Sequence, residues 1–149
     1  MARYDLHVQT LPAEEQRSSN KIFTLGYSQS LGVKGFQMLI NLWLKVFFTR
    51  QGSDHTNLAR GTNFTNLIGS TTSIAEAEDI TRLAIDECNL QVSAIQARDQ
   101  SLAPRERLAT VTLLRFQATP TAPGFDAYLE ILNQAGERLD ILIPEYAYR

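Results

Sequence analysis

The chain has 149 residues, 44% of them hydrophobic and 20% charged, with 16 acids against 14 bases for a net charge of −2. That length makes one ordinary domain able to bury about 68–70% of its unfolded surface, and so even a balance excludes the basic excess that non-specific nucleic-acid binding needs. One cysteine, Cys88, and two histidines, His7 and His55, exclude an intrachain disulfide and a cysteine zinc cage, and leave little for metal or acid–base chemistry.

Met1 to Asp5 shows no charged region followed by an apolar run, so no signal peptide is expected, and composition fits a soluble intracellular chain. Residues 1–31 read as an N-terminal arm. Tyr4, Leu6 and Val8 alternate over Asp5 and His7 as a short strand would. Pro12 through Asn20 is polar loop, and Gly26, Ser28 and Ser30 keep the next stretch loop-like. This arm lacks the apolar content to fold alone.

Residues 32–149 read as a single domain. The spacing predicts a helix over 33–50, with Phe36, Leu39, Ile40, Trp43, Val46 and Phe47 on one face and Met38, Leu42 and Leu44 widening it. The unbroken apolar part, Phe36 to Phe48, contains Gln37, Asn41 and Lys45. It is far shorter than the roughly 20 residues of a spanning helix, so it is expected to be a core helix. Gly52 is expected to end it in a left-handed conformation. Residues 51–72 form a long connection rich in Gly, Asn, Ser and Thr, with a short turn at Phe64–Ile68.

Ser73 and Glu76 have the spacing of a capping box, opening a helix over 73–100. Ile80, Ala84, Cys88, Val92 and Ile95 share one face, with Leu83 and Ile85 beside them. The period then changes. Leu108 to Ala118 reads as a strand, with Val111 and Leu113 on one side and Leu114 and Phe116 on the other. Phe125, Ala127, Leu129 and Ile131 alternate with polar residues, as do Leu139, Ile141 and Ile143. Between these two strands lies Asn133-Gln134-Ala135-Gly136, so a C-terminal β-hairpin is expected. Pro144 should end the last strand, leaving Tyr146 and Tyr148 on an exposed tail. The predicted fold class is α+β, with two main helices packed on a small antiparallel sheet.

Charge alternates by region. Seven bases against four acids give +3 over 1–72, six acids against two bases give −4 over 73–100, three bases against one acid give +2 over 101–125, and five acids against two bases give −3 over 126–149. Such alternation suits a subunit packed among several neighbours. No nucleotide-binding glycine loop and no GxSxG elbow occurs. Cys88 lies on an apolar helix stripe, as a small core residue would. Glu76, Glu78, Asp79, Asp86 and Glu87 lie along a polar helix face without a sugar-binding aromatic cluster. No enzyme, cofactor or metal site is therefore expected.

Several segments together resemble a family. The apolar helix runs into Thr49-Arg50-Gln51-Gly52-Ser53. Gly61-Thr62-Asn63-Phe64 and Leu67-Ile68-Gly69 follow, then an acid-opened helix with Ala84-Ile85 near its middle, then a strand and a hairpin. Over residues 33–143 this resembles the small baseplate wedge protein of contractile-tailed phages, the family of the T4-type sheath initiator, the P2-type W protein and the corresponding type VI secretion subunit. The resemblance implies a structural protein of the virion tail baseplate, assembled in the host cytoplasm. Its partners would be baseplate wedge subunits and tail sheath protein, with hub or tube proteins nearby, and neither nucleic acid nor membrane. Sheath would be started by β-strand addition to the hairpin. The family's Glu-Pro-Arg wedge-docking motif has two candidate positions, Asn89-Leu90-Gln91 by helix length and Ala103-Pro104-Arg105 at the helix-to-strand boundary. The latter keeps proline and arginine and loses the glutamate. The implied partner-binding residues are Pro104 and Arg105 for the wedge, and Leu139, Ile141, Ile143, Tyr146 and Tyr148 for the sheath. A tail-completion or neck adaptor is the alternative reading.

Overall fold

Apolar residues at helical spacing, then apolar residues at strand spacing, build an α+β fold of two helices against a three-stranded antiparallel sheet. The computed structural model describes residues 6–10, 23–27, 35–67, 72–119 and 124–146. Strands β1 (Leu6–Thr10) and β2 (Phe23–Tyr27) pair antiparallel, and β1 lies against helix α1 (Phe36–Phe48). β2 corrects the loop reading of its segment, because Gly26 is accommodated opposite His7 in the ladder.

α1 is three residues shorter at its start than its periodicity suggests. Gly35 precedes it at φ 66, a conformation that a helix interior does not admit. Its end comes at Thr49, whose extended backbone leaves the helix while Thr49 Oγ1 donates to Lys45 O (2.5 Å). Gly52, at φ 84, lies beyond that end in the next turn and is not the cap. The helix is buried nearly all round, from Leu39 to Phe47. Trp43 stacks on Phe47, with ring centroids 4.7 Å apart, and Phe47 also meets Phe64 at 4.5 Å.

The connection after α1 is tied by hydrogen bonds. A parallel bridge joins Arg50 to Thr62. Thr62 N–H donates to Thr49 O (2.9 Å), and Thr62 Oγ1 donates to Phe47 O (2.8 Å). This junction carries the 3-10 turn Phe64–Leu67 into the core, where Phe64 and Leu67 are buried. The turn matches the expected one, and Ile68 lies outside the described residues.

Helix α2 (Ile74–Ala97) is capped by Ser73, whose hydroxyl accepts from Glu76 N–H (3.3 Å). Such a cap contributes about 1 kcal/mol. Ala77, Thr81, Ala84, Ile85, Cys88, Val92 and Gln96 face inward. Leu83 does not join them; it is 63% exposed, because the helix turns its neighbours Ala84 and Ile85 to the core instead. Asn89 locks α2 to both neighbours. It accepts from Trp43 Nε1 (2.9 Å) and donates to Val111 O (2.9 Å).

The sheet runs β3 (Leu108–Ala118), β4 (Gly124–Asn133), β5 (Arg138–Tyr146), with β4 central. Its inner face carries Leu108, Val111, Ala127, Leu129, Ile131, Ile141 and Ile143. Register shifts in β3 fall between Leu108 and Thr110 and between Leu113 and Arg115. The second is a bulge at Leu114, which is 55% exposed. It brings Phe116 to the same side as Val111 and Leu113 rather than opposite them, so Phe116 stacks on Phe125 with centroids 5.4 Å apart. Pro144 does not end β5, which continues to Tyr146.

Candidate functional site

Pro104 opens a 3-10 turn, Pro104–Glu106, between α2 and β3, where proline's fixed φ and missing N–H cost nothing. Glu106 fastens this turn at two points: one carboxylate oxygen accepts from Ala103 N–H (3.2 Å), the other from Gly35 N–H at the start of α1 (3.0 Å). Arg105 is exposed and already engaged. Its guanidinium grips the Glu137 carboxylate through Nε (3.2 Å) and an Nη (2.9 Å). Asn133 Nδ2 donates to Glu137 (2.9 Å) and to Arg105 O (3.0 Å). The Pro104–Arg105 turn is thereby joined to the hairpin turn, a contact between residues 32 apart that no local pattern announces.

The other candidate position, Asn89-Leu90-Gln91, lies inside α2. Asn89 holds Trp43 and Val111, as described. Gln91 pairs with the backbone of Gly61, accepting from its N–H (2.9 Å) and donating to its carbonyl (2.8 Å). Two of these three side chains are therefore occupied in tertiary structure. Pro104 and Arg105 alone sit at a helix-to-strand boundary.

The guanidinium of Arg105, and then the amide of Asn133, hold the Glu137 carboxyl below the usual carboxylate range. A depressed carboxylate stabilises the fold above its unfolded pKa, and that contribution is lost as pH falls through the folded value. Glu137→Gln is therefore expected to lower the melting temperature at pH 7. The gap from the native chain should close as the pH drops below the usual carboxylate range. A gap independent of pH in thermal melts would show that the Glu137 charge contributes nothing.

The sheath-side residues run along β5, starting at Leu139, two residues beyond Glu137. Arg138 follows Glu137, and Tyr146 is eight residues further on, about 26 Å at strand rise. Leu139, Ile141 and Ile143 face the core, with Ile141 and Ile143 buried. Their backbones are engaged as well. Asn133 N–H donates to Glu137 O (3.1 Å), and antiparallel alternation then places the remaining ladder bonds at Ile131–Leu139, Leu129–Ile141 and Ala127–Ile143. The outward backbone groups of β5 thus belong to Arg138, Asp140 and Leu142. By the same alternation the Pro144 nitrogen faces the open edge, so no ladder bond is lost there. Tyr146 lies in β5, not on a tail, and Tyr148 lies outside the described residues.

The opposite edge of the sheet is partly covered. Leu108 N–H donates to Gln96 Oε1 (2.8 Å), and Val111 O accepts from Asn89 (2.9 Å), so α2 amides occupy the first half of the outer β3 edge. On the outer face Arg115 lies over the Tyr128 ring, 4.1 Å from its centroid. Burial pushes the Cys88 thiol up, and its Sγ contacts Trp43 O (3.4 Å), so it sits in the core as its stripe implies. Among the described residues, no three His, Cys, Asp or Glu side chains gather as a metal site, and no helix is long and apolar enough to cross a membrane. No protein-family model matches the chain, and no curated protein or solved structure is significantly similar to it.

Proposed function

We propose that the chain is a structural baseplate subunit of a contractile tail, joining wedge subunits to the first sheath ring and starting sheath by strand addition. The observation that carries this reading is the outer edge of β5, on which no strand among the described residues pairs. Arg138, Asp140 and Leu142 direct backbone groups outward there, while α2 amides occupy the first half of the other edge. An open edge is an aggregation liability unless a partner takes it. Pro144 lacks an N–H, which would limit an added strand to the part of the edge before it. The wedge contact falls to Pro104 and Arg105, which meets Glu137 just before this edge begins.

Removing residues 138–149 would take Ile141 and Ile143 out of the core, so it does not separate folding from assembly. Asp140→Pro is the cleaner test. Asp140 is exposed and its N–H faces outward, so proline there blocks an added strand without breaking the β4–β5 ladder. The variant should melt near the native temperature and enter baseplates, and those baseplates should fail to start sheath. Sheaths of normal length on Asp140→Pro baseplates would refute strand addition at β5, and finding the chain at the neck of the tail would refute the baseplate reading.

A further inference from the structure

Helix α2 carries two large apolar residues, Leu83 and Leu90, that the fold leaves exposed. They lie on a row Ile80, Leu83, Glu87, Leu90, Ala94, Ala97, with alternating steps of three and four residues, whose first member, Ile80, packs against the core. That is the seam spacing of a two-stranded coiled coil, continued over about two and a half heptads. Leu83 is 63% and Leu90 74% exposed, and Ala94 and Ala97 are exposed too. Leu83 also borders a groove of about 390 Å³, whose floor includes Leu67, Ile80 and Ala84. Leu83 and Leu90, one heptad apart, leave most of their surface to water and lie outside the buried core.

The charges around the seam select the occupant. Glu87 lies within it, and Asp79 and Asp86 flank it on one side. Glu78 is neutralised by Arg82 at 2.6 Å, but among the described residues Asp79, Asp86 and Glu87 enter no ion pair. A second copy docked on this stripe in parallel would set Glu87 against Glu87, and one docked antiparallel would set the flanking aspartates against one another. Like charges in a closing interface cost affinity and select against that pairing. A helix with an apolar seam and lysine or arginine opposite these three acids meets both the shape and the charge.

We infer that the outer face of α2 is a docking seam for a basic amphipathic helix of another protein, registered by a cation facing Glu87. This surface is separate from β5 and stands or falls independently of the assembly role proposed above.

The test uses the full chain and two synthetic helical peptides of about 22 residues, the length that spans α2 from Glu76 to Ala97. Both carry leucine at the seam positions other than the one facing Glu87. One has lysine at the positions facing Asp79, Asp86 and Glu87, and the other has glutamate there. Calorimetric titration should show the lysine peptide binding and weakening as salt rises, with the glutamate peptide at least tenfold weaker. Leu83→Ser and Leu90→Ser should each cost about tenfold in affinity. Glu87→Lys should reduce the preference for the lysine peptide. All three positions are exposed, so thermal melts should stay near native. Failure of the lysine peptide to bind overturns the inference, as does binding of both peptides alike or affinity untouched by these substitutions. Sedimentation showing a dimer that Leu83→Ser dissolves would make a second copy the occupant and equally overturn it.

Discussion

Gly61→Ala is expected to destabilise the fold by about 3–5 kcal/mol, a large part of the roughly 5–15 kcal/mol typical of a domain. Two effects add at this residue. Its φ is +104, which L side chains rarely adopt, and a Cβ there would clash with the Thr49 carbonyl oxygen and lie 2.9 Å from the Thr49 carbonyl carbon. Both atoms are backbone, held by the Thr62 N–H to Thr49 O bond (2.9 Å), so they cannot swing away as a side chain would. Relief of the clash would pull Gly61 from the Gln91 amide and loosen the junction that seats Phe64. Gly52→Ala is the control. Its φ is +84, but a Cβ would meet nothing within 4 Å, so only the conformational cost of about 1–2 kcal/mol applies. Urea unfolding of both variants checks the contrast, and equal losses would show that the approach to Thr49 is not what Gly61 serves.

Gly61 also marks what the sequence could reveal of this fold. Periods of 3.6 and 2 are local, so α1, α2 and strands β3 to β5 were readable from Phe36, Ile80, Val111 and their repeats. Features decided by partners across the fold were not. The bulge at Leu114 depends on how β3 lies against β4, and it moved Phe116 to the inner face. β2 depends on β1, which tolerates Gly26 in its ladder. Pro144 breaks a strand only if its nitrogen faces a partner, and here the alternation turns it to the open edge.

The candidate surfaces divide the same way. Proline at a helix-to-strand boundary is a local signal, and Pro104 and Arg105 lie at one. That Arg105 holds Glu137 was not readable, since the hairpin must first fold back to bring them together. Leu139, Ile141 and Ile143 mark β5 correctly, yet their alternation says only that they share a face. Inward side chains on an edge strand leave the outward backbone groups to Arg138, Asp140 and Leu142. Leu83 fell on the broad apolar side of α2 by spacing, and only tertiary packing shows that Ala84 and Ile85 occupy the core in its place.

The second large effect is expected at Phe47. Its ring is fully buried and touches three others: Trp43 at 4.7 Å, Phe48 at 5.4 Å and Phe64 at 4.5 Å between centroids. Phe47→Ala removes the ring and leaves a cavity between α1 and the 3-10 turn, at a cost of about 3–5 kcal/mol. Phe48 is only half-buried and lies at the margin, so Phe48→Ala should cost clearly less. Trp43 is the only tryptophan in the chain, so its fluorescence reports this cluster directly. Besides the lower urea midpoint, native emission should change in Phe47→Ala because the stacked neighbour is gone. Phe47 and Phe64 touch, so their losses should not add. A double-mutant cycle with Phe64→Ala should give a coupling of about 0.5–3 kcal/mol. Strict additivity would mean that α1 and the turn are stabilised separately, and that Thr62, through its bonds to Phe47 O and Phe64 N–H, joins them without help from the rings.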